Sequence, residues 1–148
     1  MVENGTNDEH LVWGDMHTQF EPLADESLET WEQRIRTAME SGGKYFDFMP
    51  IVFYPAFFSL LQGGLRTETV GMRPEFAERW EVVKRLAREY DDPGSFVTFP
   101  AYEWTSDRST WGDHNVFFNE HDPPLDLSMD LPDLIANMKP RSALVIPH

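Results

Sequence analysis

Four apolar runs of this chain begin with, end in or enclose a residue able to hold a metal. They are Leu11 to His17, Phe96 to Trp104 with Glu103 inside it, His114 to Phe118, and Ala143 to His148. A chain whose buried runs carry such residues at their ends is restricted to folds that gather strand ends at one rim. The mouth of an α/β barrel is such an arrangement. In the first run Asp15 and His17 stand two apart, so an extended strand would point both the same way.

Helical patterns alternate with these runs. From Ser27 to Ser41, Leu28, Trp31, Ile35, Ala38 and Met39 recur on one stripe, with Ser27 as N-cap and Gly42-Gly43 as the stop. Tyr45 to Tyr54 reads as a further buried strand, in which Pro50, lacking an N–H, predicts a bulge or an edge position. A short buried helix is expected from Pro55 to Gln62, a longer one from Pro74 to Tyr90, and another from Leu131 to Met138, capped by Ser128 or Asp130. Residues 120–132, rich in proline and aspartate, are expected to form an extended loop or lid. The order predicts an α/β fold of five mostly parallel strands with flanking helices over residues 11–148, after a mobile arm over residues 1–10. A strand finishing on His148 predicts a domain incomplete at its C-terminal end. The remainder of a barrel, or another subunit, is then expected to cover the edge of residues 143–148.

Charge and composition narrow the chemistry. With 26 acidic against 12 basic residues, a net charge of −14 repels phosphate backbones, so no nucleic-acid partner is expected. The absence of cysteine removes disulfides, thiolate zinc sites and thiol nucleophiles, leaving His, Asp and Glu to hold any metal. The polar first ten residues lack the apolar core of a signal peptide, and no run reaches the roughly 20 apolar residues of a membrane helix. A cytoplasmic protein with no membrane partner is the expectation.

Of the five histidines, His17, His114 and His148 lie at ends of predicted strands, whereas His10 and His121 lie in polar loops. Glu103 is an acid inside an apolar strand, where an unpaired carboxylate costs several kcal/mol, so it requires a cation. Taken singly, such a histidine is more often a hydrogen-bonded structural residue, and the glutamate can pair with Arg66, Arg73, Arg108 or Arg141. Their joint placement favours, beside that structural reading, a divalent metal, zinc, manganese or iron, held by His17, Glu103, His114 and His148. Asp15 is then a further ligand, a partner fixing a histidine tautomer, or the group that orients or deprotonates a bound water. Arg108 is suited to neutralising a phosphate oxygen.

The motifs in order resemble the PHP family, named for polymerase and histidinol phosphatase domains, and within it a branch opening on Gly-Asp-x-His. Gly14-Asp-Met-His17, Tyr102-Glu-Trp-Thr105, Gly112-Asp-His-Asn-Val-Phe117 and Ile146-Pro-His148 carry the likeness over almost the whole chain. The resemblance implies the front part of a distorted (β/α)7 barrel, binding of divalent metal, and hydrolysis of phosphoesters. Two positions depart from the family. Gln19 stands where the family has a second histidine, and Phe53 and Tyr54 stand where its second strand ends in Asp-His. Both changes remove ligands, so the resemblance implies one or two ions rather than three, and Tyr54 becomes a candidate catalytic acid or base.

Residues and resemblance together point first to a metal-dependent hydrolase of a phosphoester, with a small-molecule or saccharide substrate as its partner. A polysaccharide lyase acting on uronate-containing sugars is the first alternative, with the many aromatics stacking on sugar rings. The second is a degenerate, non-catalytic binding domain.

Overall fold

The computed structural model describes residues 10–23, 25–55 and 74–148. In chain order these form β1 (Gln19–Phe20), α1 (Leu28–Gly42), β2 (Ile51–Phe53), α2 (Pro74–Tyr90), β3 (Pro100–Thr105), α3 (Arg108–Trp111), β4 (Asp113–Phe118), α4 (Leu131–Met138) and β5 (Ala143–Pro147). Apart from Pro55 itself, the helix expected from Pro55 to Gln62 lies outside the described residues, as do positions 1–9 of the expected arm.

The helices form where the sequence pattern places them. Ser27 Oγ accepts the Thr30 N–H at 3.1 Å, and α1 buries Trp31, Ile35 and Met39, four residues apart on one face, before Gly43 N–H closes on Met39 O. Along α2, Phe76, Trp80, Val83 and Ala87 face the same core. Asp130 caps α4 through the Asp133 N–H, and Leu134 and Met138 bury its inner face.

The strands form one five-stranded sheet in the order β1-β2-β3-β4-β5, mixed rather than mostly parallel. β1 and β2, and β2 and β3, pair parallel; β3 with β4 and β4 with β5 pair antiparallel. Chain length explains the first reversal. Only the short α3 and its flanks join β3 to β4, too little for the crossover of about a dozen residues that a parallel return needs. For the second, residues 119–128 climb to the far end of β3, where Ser128 O accepts from Trp104 Nε1 at 2.8 Å. α4 then brings the chain back, so that β5 begins opposite Phe118. The sheet is open among the described residues, with no barrel closure seen there.

The expected lid is instead a strap on the helices. Trp80 Nε1 donates to Pro123 O at 2.8 Å, Lys84 binds Asp122 at 2.5 Å, and Leu125 is buried.

Two strands are shorter than their apolar runs. Among the described residues the ladder pairing of the Leu11-to-His17 segment is limited to a parallel bridge from Gly14 to Phe48, and Leu11, Val12 and Trp13 are exposed. Contact there is so close that a Cβ on Gly14 would sit 2.4 Å from Phe48 O. The run breaks because the Asp15 carboxylate takes the His17 N–H at 2.7 Å and the Thr18 hydroxyl at 2.8 Å, a local turn that competes with a ladder. β2 starts just after Pro50, which lies between the bridge at Phe48 and the ladder from Ile51.

The two sheet faces differ. One, bearing Phe20, Phe53, Tyr102, Trp104, Val116 and Phe118, packs against α1, α2 and α4 in the main core. The other carries Gln19, Val52, Ala101, Glu103, Asn115 and Phe117 by alternation and register. Its apolar part is a small cluster of Val52, Ala101 and Phe117, with Met16 and Phe99 against it.

Candidate metal centre

Glu103 sits on the sheet face that no described helix covers, directly opposite Asn115 of β4, and is 1% exposed. Above it, His17 and His148 stack with ring centroids 4.4 Å apart. One ligand atom from each of His17, Glu103 and His148 lies within 4.8 Å of the others. His17 Nε2 is 3.4 Å from Glu103 Oε2, and the same oxygen accepts a hydrogen bond from Gln19 Nε2. Gln19 thus reaches into the site from β1.

A second group adjoins this one. The turn through Asp107 and α3 brings Arg108 back over the face, and Gly112, at φ +67°, reverses the chain into β4. Arg108 Nε and Nη2 grip the two oxygens of Asp113 at 2.9 and 2.5 Å. Nη2 also donates to the Tyr54 hydroxyl at 3.1 Å and lies 3.8 Å from Glu103 Oε1. The backbone of Asp113 joins the two groups, because its carbonyl accepts the His148 N–H at 2.9 Å.

The electrostatics follow from crowding. Burial first, then the Asp113 carboxylate, pushes the Glu103 carboxyl above the usual range, and His148 and His17 pull it back. Burial raises Tyr54 as well, with Arg108 opposing and Glu103 adding to the rise. Arg108 is held still more firmly protonated by its bond to Asp113.

The expected residues divide. His17, Glu103 and His148 come together, and Arg108 and Tyr54 stand beside them. His114 does not join them: it pairs with Trp104 across the ladder, one residue out of phase with Glu103, and so belongs to the helix-covered face. Its ring packs edge-on against Trp104 at 5.7 Å, Nδ1 is buried without a partner, and burial lowers its pKa. Asp15 is no ligand of this group. Both its oxygens are engaged in the turn that presents His17.

Asp113 and Asn115 are the residues that sequence reasoning missed. The signal was present in the alternation of β4: Val116 and Phe118 claim the core side and take His114 with them, which leaves Asp113 and Asn115 facing Glu103.

The donor set suits a metal. Two imidazoles and one buried carboxylate form the His2Glu combination that holds zinc with a position left open. Among the described residues Arg108, at 3.8 Å, is the only Lys or Arg paired with Glu103.

A family model described as "Protein of unknown function (DUF3604)" matches residues 16–133. The chain belongs to the DUF3604 family. The matched stretch of this DUF3604 chain includes His17, Gln19, Tyr54, Glu103, Arg108 and Asp113, while His148 lies beyond it. No curated protein and no solved structure matches the chain.

Proposed function

We propose that this protein is a metal-dependent hydrolase of a phosphoester, with a divalent cation held by His17, Glu103 and His148. The observation that carries the reading is the convergence of those three ligand atoms within 4.8 Å on the sheet face that no described helix covers. The same asymmetry supports a PHP-like assignment, in which the open sheet is the front part of a distorted (β/α)7 barrel. Leu144 and Ile146 of the edge strand are 55% and 38% exposed on that face, as the inner wall of an unfinished barrel would be. A strand from the rest of the barrel or from another subunit would cover them.

A divalent ion bound there would supply a coordinated water acidified toward neutrality and a Lewis acid for a phosphoryl oxygen. The protein's own groups do the rest. Gln19 fixes one oxygen of Glu103, and the turn at Asp15 fixes the His17 backbone. Arg108 supplies positive charge beside the reacting group.

Calorimetric titration with Zn2+ and Mn2+, followed by turnover of an aryl phosphomonoester and of an aryl phosphodiester with and without chelator, tests the proposal. Saturable binding with chelator-sensitive turnover is expected; turnover indifferent to chelator would remove the metal from the reaction.

A second reading, a lyase on uronate sugars, draws on Tyr54, whose hydroxyl lies against Arg108. Absorbance from an unsaturated uronate product separates it from hydrolysis.

A further inference from the structure

The proposal for the metal leaves open what kind of substrate the neighbouring groups accept, and Arg108 bears on that. Its Nε and Nη2 are committed to Asp113, which fixes the plane of the guanidinium. Its Nη1 takes part in none of these contacts among the described residues, and the side chain is 39% exposed. Arginine donates and never accepts. In the Arg108–Tyr54 hydrogen bond the phenol oxygen is therefore the acceptor, which leaves the proton of the buried Tyr54 hydroxyl for a ligand or for its other neighbour, the Thr105 hydroxyl. Two donors, Nη1–H and Tyr54 O–H, thus stand side by side next to the His17–Glu103–His148 group.

Charge decides what they can hold. Arg108 is already matched by Asp113, and the Glu103 carboxylate lies 3.8 Å away. Among the described residues no other Lys or Arg is paired with either acid. An incoming group with two negative charges would meet two carboxylates across one shared guanidinium. A group with one charge meets donors it can satisfy at half that repulsion. The whole chain, at −14, acts in the same direction.

We propose that Arg108 and Tyr54 form a subsite for a singly charged oxyanion, a phosphodiester or a carboxylate rather than a phosphomonoester dianion, with Asp113 as its positioning residue. Asp113 also ties the subsite to the metal group, since its carbonyl holds the His148 N–H. The inference rests on reading this face as the substrate site, but not on a metal being bound.

The test uses the full chain in chelator, so that no probe can bind through a metal. Affinities of methyl phosphate, dimethyl phosphate, trimethyl phosphate and glucuronate are measured by ligand-observed NMR at pH 7.5. Dimethyl phosphate, glucuronate or both should bind at least about tenfold more tightly than methyl or trimethyl phosphate, the scale of one charge-assisted hydrogen bond. Binding of dimethyl phosphate assigns the subsite to diesters, and binding of glucuronate alone assigns it to carboxylates. Arg108→Gln should abolish the preference and Arg108→Lys should retain part of it. Tyr54→Phe should weaken binding severalfold.

Asp113→Asn, with its melting temperature checked, frees the Arg108 charge and should shift the preference toward methyl phosphate, which a merely structural role would not do. Methyl phosphate binding as tightly as both monoanions, no binding by any probe, or an unchanged preference in Arg108→Gln or Asp113→Asn would overturn the proposal. Failure of the metal reading shows up separately, as an absence of Zn2+ and Mn2+ binding in calorimetry.

Discussion

Replacing Glu103 by glutamine separates the metal reading from a purely structural one. The side chain is buried, and one oxygen takes the Gln19 amide and faces His17 Nε2. Glutamine has the same shape, keeps one carbonyl acceptor and removes the charge. A buried donor left unsatisfied costs about 1–3 kcal/mol. Against this, the effective penalty for a buried ion is several kcal/mol, partly offset here by Arg108 and the two histidines. The two changes oppose each other, so the metal-free stability of Glu103→Gln should lie within about 2 kcal/mol of the parent.

Metal-linked stability should behave differently. A ligand at 100 times its Kd stabilises a fold by about 2.7 kcal/mol. For a domain near this size that corresponds to a rise in Tm of roughly 5–11 °C, at about 2–4 °C per kcal/mol. Loss of an outer partner of a metal ligand already costs about 10–100-fold in affinity, so loss of the anionic ligand should cost more than about 100-fold. The expected result is a parent protein whose Tm rises with Zn2+ or Mn2+ and a Glu103→Gln variant that melts normally and does not respond. A variant with the full metal-dependent rise would refute the assignment of Glu103 as a ligand. A parent with no rise would refute the centre itself.

Other substitutions probe the remaining assignments. His114→Gln should leave metal affinity within about threefold of the parent, because a residue on the opposite face contributes no ligand; a loss like that of Glu103→Gln would restore it to the site. The lowered pKa of His114 also sets a pH dependence. The unfolded chain binds a proton there that the folded one refuses, so stability is full above the unfolded value of about 6.5 and falls as pH drops toward the folded value. Melting curves of the parent and of His114→Gln between pH 5 and 8 should differ by that slope, and parallel curves would contradict it. Gly14→Ala forces a Cβ to 2.4 Å from Phe48 O, so the turn carrying His17 must shift; calorimetry should show weaker metal binding, and unchanged affinity would refute the tight contact. Trp31→Ala empties a fully buried position under β2 and should cost about 3–5 kcal/mol in denaturant unfolding, with a loss below 1 kcal/mol counting against its core placement.

The helices were legible because each rests on local information. In α1 the Ser27 cap, the four-residue spacing of Trp31, Ile35 and Met39, and the terminal glycines are all visible in one short stretch from Ser27 to Gly43. Strand direction is not local. The reversal at β4 follows from the short connection through α3, a length the sequence does display. The reversal at β5 depends on residues 119–128 running back across the molecule to Trp104, which no pattern within β5 announces. The Leu11-to-His17 run misled for a further reason: its hydrophobicity suggests a buried strand, but the Asp15 carboxylate closes a turn that ends the extended conformation before a ladder can form.

At the candidate site the error was one of phase. A histidine beside a buried strand looks like a ligand whichever way it points, and in a strand the direction changes with every residue. His114 and Asn115 differ by one position, yet the pairing of Asn115 with Glu103 sends them to opposite faces of the sheet. Residue type therefore identified which strands bear the chemistry, while register decided which side chains can take part. The positions that agree by both criteria, His17, Glu103 and His148, lie 86 residues apart in the case of the first two. Such long-range agreement is difficult to explain by local folding requirements alone, because each histidine is exposed and neither is needed to fill the core. On the proposed reading a cation between their rings and the carboxylate would satisfy the lone pairs of all three.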